Sequence, residues 1–123
     1  ALAVAKAIAK SSVNIVSFED NDLASYAPEV VANLTEEHSK VHTIYLAGNR
    51  LRKYGPQTAQ NLSRAFSKVH TVDLSDNHLG KYAPATAANL TREHSKISKV
   101  NLSLNQISQF GPATAQHLTG EHS

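Results

Sequence analysis

One unit of 28 residues recurs along almost the whole chain, and this repetition constrains the fold more than any other feature. The serines Ser11, Ser39, Ser67, Ser95 and Ser123 follow one another at this spacing without an insertion. Four consecutive rows can therefore be aligned position by position. A fixed period of this length is typical of repeat proteins, in which each unit buries its apolar side against the next unit.

The first half of each row predicts a short strand that ends in a loop. In the third row, Val72 and Leu74 are separated by one residue, and Asn77 and Leu79 follow in the loop. Alternate residues of a strand point to one side, so Val72 and Leu74 are predicted to enter the core. We expect the asparagine to be structural, because a buried amide donates to and accepts from the backbone of neighbouring loops. This asparagine ladder comprises Asn21, Asn49, Asn77 and Asn105.

The second half of each row predicts a helix. Pro56 follows an aromatic residue and a small one, and proline is tolerated in the first turn of a helix because its missing N–H would be unpaired there. Ala59 and Leu62 lie three residues apart on one side, which can pack on the strands. A further helix is predicted within residues 1–11. We interpret the aromatic residues that precede the helices as packing residues, namely Tyr26, Tyr54, Tyr82 and Phe110.

The strand spacing L-x-x-L-x-L-x-x-N-x-L and the helix after it resemble the ribonuclease-inhibitor class of leucine-rich-repeat (LRR) proteins. The resemblance covers residues 12–123. It implies an α/β solenoid, a segment of a horseshoe with parallel strands on the concave side and α-helices on the convex side. The alanine-rich, cysteine-free style is also similar to that of the LRR effectors that intracellular bacterial pathogens secrete. The expected organisation is a single LRR domain at 1–123, with a partial or capping repeat at 1–11 and four repeats at 12–39, 40–67, 68–95 and 96–123.

The composition argues against several classes of function. The absence of cysteine favours an intracellular, reducing compartment, or the host cytoplasm if the protein is a secreted effector. No run approaches the roughly 18 apolar residues of a membrane helix. The net charge of +2 is spread along the chain, whereas nucleic-acid binding requires a clustered basic stripe with stacking aromatics. We therefore expect neither a membrane nor a nucleic acid as partner, and we interpret the lysines Lys40, Lys68 and Lys96 as a solvated ladder.

The sequence shows no motif of catalysis or of metal binding. It has no glycine-rich phosphate loop, no H-E-x-x-H, no G-x-S-x-G and no cysteine nucleophile. His42 and His70 share a register on adjacent predicted strands, but two ligands are too few for a zinc site. For His38, His94 and His122, near the predicted helix ends, we expect a packing or helix-terminus role. The prediction is a protein that is not an enzyme and has no cofactor.

The residues that alternate with the buried ones differ in chemistry from row to row. Scaffold positions repeat whereas recognition positions need not, so this variation predicts a binding surface, which we call the strand face. Tyr45, Arg50 and the apolar Ile15 and Leu104 within a polar rim are typical of interface hot spots. The predicted strand face comprises Ile15, Ser17, Glu19, Asp20, Asp22, Thr43, Tyr45, Arg50, Thr71, Asp73, Ser75, Asp76, His78, Lys99, Asn101, Leu104 and Gln106.

These observations favour a protein-protein interaction module that docks a folded partner on the strand face. The resemblance to ribonuclease inhibitor implies that the partner is an enzyme, which the module inhibits or regulates by occluding its active site. A second hypothesis is structural: a stretch of a longer LRR array, or a designed repeat, without a specific ligand. A third is an enzyme or GTPase-activating protein of LRR fold, for which only Arg50 or Arg52 would supply a catalytic arginine.

Overall fold

Short strands and helices alternate along the chain in the computed structural model, which describes residues 1–120 and the side chains of residues 1–115. The strands are β1 (Ile15–Ser17), β2 (Thr43–Tyr45), β3 (Thr71–Asp73) and β4 (Lys99–Asn101). The helices are α1 (Leu2–Ala9), α2 (Ala27–Leu34), α3 (Gly55–Leu62), α4 (Ala83–Leu90) and α5 (Gly111–Gly120). A single 3-10 turn directly precedes each of the last four helices: Ala24–Tyr26, Arg52–Tyr54, Gly80–Tyr82 and Ser108–Phe110. The α/β class expected from the repeat is therefore confirmed.

The four strands form one parallel sheet in the order in which they occur in the chain. Residues 28 positions apart are paired, so that Val16 lies beside Ile44, Ile44 beside Val72 and Val72 beside Val100. Three residues make few ladder bonds, and the loops after the strands extend the pairing. Leu46 N donates to Asp73 O at 2.8 Å, for example. The repeat period thus fixes the register of the whole sheet.

The core lies between the sheet and the helix layer. Ile44 and Val72 point inward from the strands, and Leu62 and Ala59 meet them from α3, all of them fully buried. Proline lies in the first turn of α2, α3 and α4, where its lack of an N–H leaves no partner unpaired. One strand and one helix per row therefore bury one shared apolar layer.

Each helix packs on the next one, in the order α1, α2, α3, α4, α5. Ala5 and Ala9 of α1 are buried against this layer although α1 has no strand of its own within residues 1–120. Among the described residues, the helix layer thus contains five helices and the sheet contains four strands.

Polar side chains also join the rows on the helix side, a feature that the repeat pattern does not indicate. Asn61 Nδ2 donates to Pro28 O at 2.9 Å, and Asn89 Nδ2 makes the same bond to Pro56 O at 2.8 Å. Arg92 also bonds to the preceding row, since its Nη2 donates to Gln60 O at 2.9 Å. The bond to Gln60 O reaches a carbonyl in the last turn of α3, where intrahelical donors are missing, whereas the asparagine bonds add a second donor to carbonyls in the first turns.

The lysine ladder follows the expectation, and the histidines near the helix ends follow it in part. Lys68 and Lys96 are exposed, as expected, and each Nζ also donates at 2.6 Å to a carbonyl oxygen two rows back, of Glu37 and of Ala65 respectively. Lys40, the third lysine of this ladder, is exposed as well. The histidines at positions 38 and 94 are exposed beyond the helix ends, so they do not pack, and His122 lies outside the described residues.

Candidate functional site

The loops that carry much of the strand face are held in place by the asparagine ladder. Asn77 is fully buried, and its Oδ1 accepts from Asn49 N at 2.9 Å and from Leu51 N at 3.4 Å. Its Nδ2 donates to Leu46 O at 3.0 Å and to Leu74 O at 3.0 Å. Each amide therefore ties its own loop to the loop of the preceding row. Asn49 and Asn105 repeat this arrangement.

Asn21 departs from the ladder that the sequence predicts. Its side chain is exposed, and its Nδ2 donates to Glu19 O at 3.0 Å within the same loop. The reason is geometric: the ladder side chains reach backward to the preceding row, and within residues 1–120 no strand precedes β1. Asn21 takes part in the ladder only through its backbone, since its N–H donates to Asn49 Oδ1 of row two at 3.1 Å.

Most of the predicted strand face is exposed on the side of the sheet opposite the helices. Tyr45, Thr71, Asp73 and Ser75 are half-buried. Thr43 departs from the expectation because it is buried, with only 6% of its surface exposed. Its hydroxyl lies 2.9 Å from His42 Nδ1. Thr43 therefore contributes packing rather than contact area.

Strict alternation holds only within the three-residue strands, and the remaining strand-face residues lie in loops of unusual backbone conformation. Seven of them have φ between 50° and 57°: Asp20, Asp22, Arg50, Asp76, His78, Leu104 and Gln106. Such left-handed conformations cost about 1 to 2 kcal/mol for residues other than glycine. The sequence carried one signal of this geometry, because Gly48, with φ 71°, shares its column with two aspartates, which tolerate it.

An open depression of about 280 Å³ lies on the strand face beside Tyr45. Tyr45, Asp73 and Asn101 line it from successive strands in register, and Thr71 and Lys99 line it from the neighbouring positions. Asp73 is oriented there because its Oδ1 accepts from the N–H at position 75, at 2.9 Å. The depression thus combines an aromatic ring, a fixed carboxylate and an ammonium group.

The strand face is negative although the whole chain is positive. It carries five of the ten acidic residues and two of the twelve basic ones. Arg50 Nε lies 3.7 Å from Asp22 Oδ1, but both side chains are mostly exposed, so this ion pair adds little stability. The acidic residues are Glu19, Asp20, Asp22, Asp73 and Asp76, and the basic ones are Arg50 and Lys99. A partner with a basic surface would complement this charge.

His42 and His70 stack on each other next to the strand face. Their ring centroids are 4.7 Å apart and their planes differ by 14°. Each Nδ1 lies close to the hydroxyl of the following threonine, at 2.9 Å for His42 and 2.8 Å for His70. Among the side chains of residues 1–115, no group of three or more histidine, aspartate or glutamate residues is placed to hold a metal ion.

The predicted aromatic ladder is less buried than expected. Tyr26 is 69% exposed, while Tyr54 and Tyr82 are half-buried and lie under lysine ammonium groups 5.4 Å from the ring centroids. The side chain of Phe110 is also half-buried. These aromatics therefore cover the entry to each helix rather than fill the core.

Comparison with protein-family models, with curated proteins and with solved structures finds no match for this chain. None of the helices in residues 1–120 combines the length and the apolar character needed to cross a bilayer.

Proposed function

We propose that the chain is an LRR array of the ribonuclease-inhibitor type that binds a folded protein across the strand face and acts by binding rather than by catalysis. One observation carries this proposal. Within one sheet, the inward positions repeat as Val16, Ile44 and Val72, while the outward positions of the same strands change from Ser17 to Tyr45 to Asp73. Packing explains the uniform positions and does not explain the variable ones.

The dimensions of the strand face suit a protein partner. Four parallel strands about 4.8 Å apart make a surface about 15 Å wide, which side chains and loops extend. Together they approach the roughly 800 Å² that each partner contributes to a standard interface. The depression at Tyr45 and the exposed side chains of Ile15 and Leu104 provide anchors inside a charged rim.

The partner we propose has a basic surface, and the resemblance implies an enzyme whose active site the module occludes. Charge complementarity supports the first statement, because the strand face is acidic in rows one and three. The inhibitory role comes from the resemblance alone, since a fold does not determine a function.

The replacement Tyr45→Ala tests the proposed interface. A half-buried tyrosine at the edge of a depression brings large rigid area at low entropy cost, so its loss should weaken the Kd by about thirtyfold, or about 2 kcal/mol. Affinity capture with wild type and Tyr45→Ala in parallel identifies candidate partners, and titration of the purified candidate by calorimetry measures the loss. The unfolding midpoint should change little.

The matched control is Gln57→Ala with Gln60→Ala, two exposed side chains of α3 on the opposite side of the molecule. This pair should leave the affinity unchanged. If the Gln57→Ala and Gln60→Ala double variant fails to bind the partner while Tyr45→Ala binds it normally, the interface lies on the helices and the proposal is refuted.

Charge reversal tests the electrostatic part. Asp73→Lys with Asp76→Lys should mainly slow association and reduce its dependence on salt, because rim charges steer the encounter more than they hold the complex. Stopped-flow association rates between 50 and about 300 mM salt measure the effect. Unchanged association rates and an unchanged salt dependence would show that these two carboxylates do not attract the partner.

A further inference from the structure

The depression beside Tyr45 contains one carboxylate whose position is fixed, that of Asp73. Asp73 is half-buried, and its Oδ1 accepts from Ser75 N at 2.9 Å. Among the described residues, no donor or cation pairs with its other oxygen, Oδ2. The carboxylate is thus held by one oxygen and offers the other to a ligand.

The same local bond is made on the next strand without a charge. Asn101 is the register partner of Asp73, and its Oδ1 accepts from Ser103 N at 3.0 Å and from Ser103 Oγ at 2.7 Å. An amide oxygen therefore does in row four what a carboxylate oxygen does in row three. The geometry of the loop does not require a charge at position 73, so the loop does not explain this charge.

Lys99 is the other charged residue that lines the depression. The ion pair present among the side chains of residues 1–115 joins Arg50 to Asp22, and Lys99 forms none with Asp73. Lys99 is exposed, and its long side chain can turn the ammonium group into solvent. Asp73 cannot turn away without breaking its bond to the backbone. The charge that stays in place is therefore negative.

Tyr45 supplies an aromatic wall next to this carboxylate. It is half-buried and is the register partner of Asp73 on the neighbouring strand. Adjacent strands lie about 4.8 Å apart, so one ligand can contact the ring and the carboxylate together. A planar guanidinium suits both groups, because it stacks on aromatic rings and donates several N–H groups to a carboxylate. A lysine ammonium is compact and cannot stack in this way.

The size of the depression favours a side chain of a protein over a free small molecule. The depression is open, and its volume of about 280 Å³ lies below the usual range of small-molecule sites, about 300 to 1,000 Å³. A free ligand here would leave much of its surface in water. A side chain presented by a protein that also covers the rest of the strand face does not depend on the depression alone.

We propose that the depression receives one arginine side chain of the partner protein. This inference rests on the function proposed above, since it requires the strand face to be the interface. The guanidinium stacks on Tyr45 and donates to Asp73 Oδ2, while Lys99 turns outward. Asp73 is then the residue that selects for arginine at this point of the interface, because a buried charge-assisted bond rejects a partner that lacks the matching donor.

A blocked tripeptide, acetyl-Gly-Arg-Gly-amide, tests the site without the natural partner. Titration of the isotope-labelled protein, followed by NMR, should give saturable shifts of the Tyr45, Asp73 and Ser75 amide signals, with a Kd of about 1 mM or weaker for a single side chain. The Ser75 N–H is the most direct reporter, because it bonds to the Asp73 carboxylate. The same peptide with citrulline in place of arginine has a similar shape without the charge, and it should give no saturable shift.

The decisive variant is Asp73→Asn, which removes the charge and keeps an oxygen for the bond to Ser75 N, as Asn101 does in row four. The unfolding midpoint should therefore stay close to wild type. Binding of the arginine peptide should weaken about tenfold, and so should binding of a purified partner. Glu93→Gln is the matched control, because it removes one carboxylate of the same row at an exposed position outside the strand face, and it should bind the peptide normally.

Lys99→Gln determines which sign of charge the depression accepts. Loss of the ammonium group removes a like charge, so the arginine peptide should bind about twofold more tightly, and the gain should be larger at low salt. An acidic occupant would give the opposite result. The peptide acetyl-Gly-Glu-Gly-amide should therefore not bind to the wild-type chain. Tighter binding of this glutamate peptide than of the arginine peptide, weakened by Lys99→Gln, would overturn the proposal.

The arginine site and the proposed function can fail separately. The arginine site is overturned if the arginine peptide gives no saturable shift, if the citrulline peptide binds equally well, or if wild type and Asp73→Asn bind the arginine peptide equally. Each of these results would leave the strand face as the interface, provided that Tyr45→Ala loses the captured partner. A partner that wild type and Tyr45→Ala bind equally would refute the strand-face interface, while arginine binding that Asp73→Asn weakens would still support the site.

Discussion

Replacement of Asn77 by alanine should destabilise the protein strongly, because one side chain serves several buried backbone groups. The three carbonyl oxygens that accept from Asn77 Nδ2 each have another donor: Leu46 O accepts from Asn49, Leu74 O from Asn105, and Ser75 O from the N–H at position 48. They lose one of two bonds. The expected cost therefore comes mainly from the groups that bond to Oδ1.

Two N–H groups, those of Asn49 and Leu51, lose their acceptor in Asn77→Ala. A buried donor left without a partner costs about 1 to 3 kcal/mol, so the pair costs at least about 2 kcal/mol. With an unfolding entropy of about 2.1 cal/mol/K per residue, a chain of 123 residues should melt at least about 8 °C lower. Thermal unfolding followed by circular dichroism measures the shift.

Asn21→Ala is the matched control, since it removes the same side chain from the exposed end of the ladder. It breaks one bond to Glu19 O within a solvated loop, and its midpoint should move by no more than about 2 °C. Equal shifts for Asn21→Ala and Asn77→Ala would show that the amide stabilises its own loop only. The inter-row account of the ladder would then be wrong.

Two further outcomes are expected. Leu104 has φ 57° and is 77% exposed, so Leu104→Asn should raise the unfolding free energy by about 1 kcal/mol in denaturant titration through relief of the left-handed conformation, whereas Leu104→Ala, which keeps the strain, should give no gain. Zinc added to the metal-free protein should leave the melting midpoint unchanged, because the stacked pair His42 and His70 provides two ligands only; a rise that His70→Ala abolishes would contradict this.

The sequence predicted the parts of the fold that depend on repetition. Four aligned rows force equivalent residues into equivalent places, so the inward position of Ile44 and Val72 and the helix start near Pro56 follow from the pattern alone. The position of the strand-face residues within β1 to β4 follows from the same alternation. The placement of Tyr45 beside Asp73 therefore needs only the register that the period sets.

Other features depend on the position of a row within the sheet or on the backbone conformation of the loops. A repeating sequence pattern carries no information about either. Asn21 has the same sequence context as Asn77 but is exposed, because a row's neighbours decide its burial. Thr43 is buried while Thr71, in the same column, is half-buried. The left-handed residues at positions 20, 22 and 24 and at equivalent positions of later rows were not predicted, since only Gly48 and Gly80 mark this geometry directly.

The direction of the ladder has a consequence for the interface we propose. Asn77 in row three holds the N–H groups of Asn49 and Leu51 in row two, in the loop that follows Tyr45. The geometry around Tyr45 thus depends on a residue that lies behind the strand face. A weaker complex in Asn77→Ala would therefore report a displaced loop rather than a lost contact. The two causes can be separated, because Asn77→Ala should lower the melting midpoint and the affinity together, whereas Tyr45→Ala should lower the affinity alone.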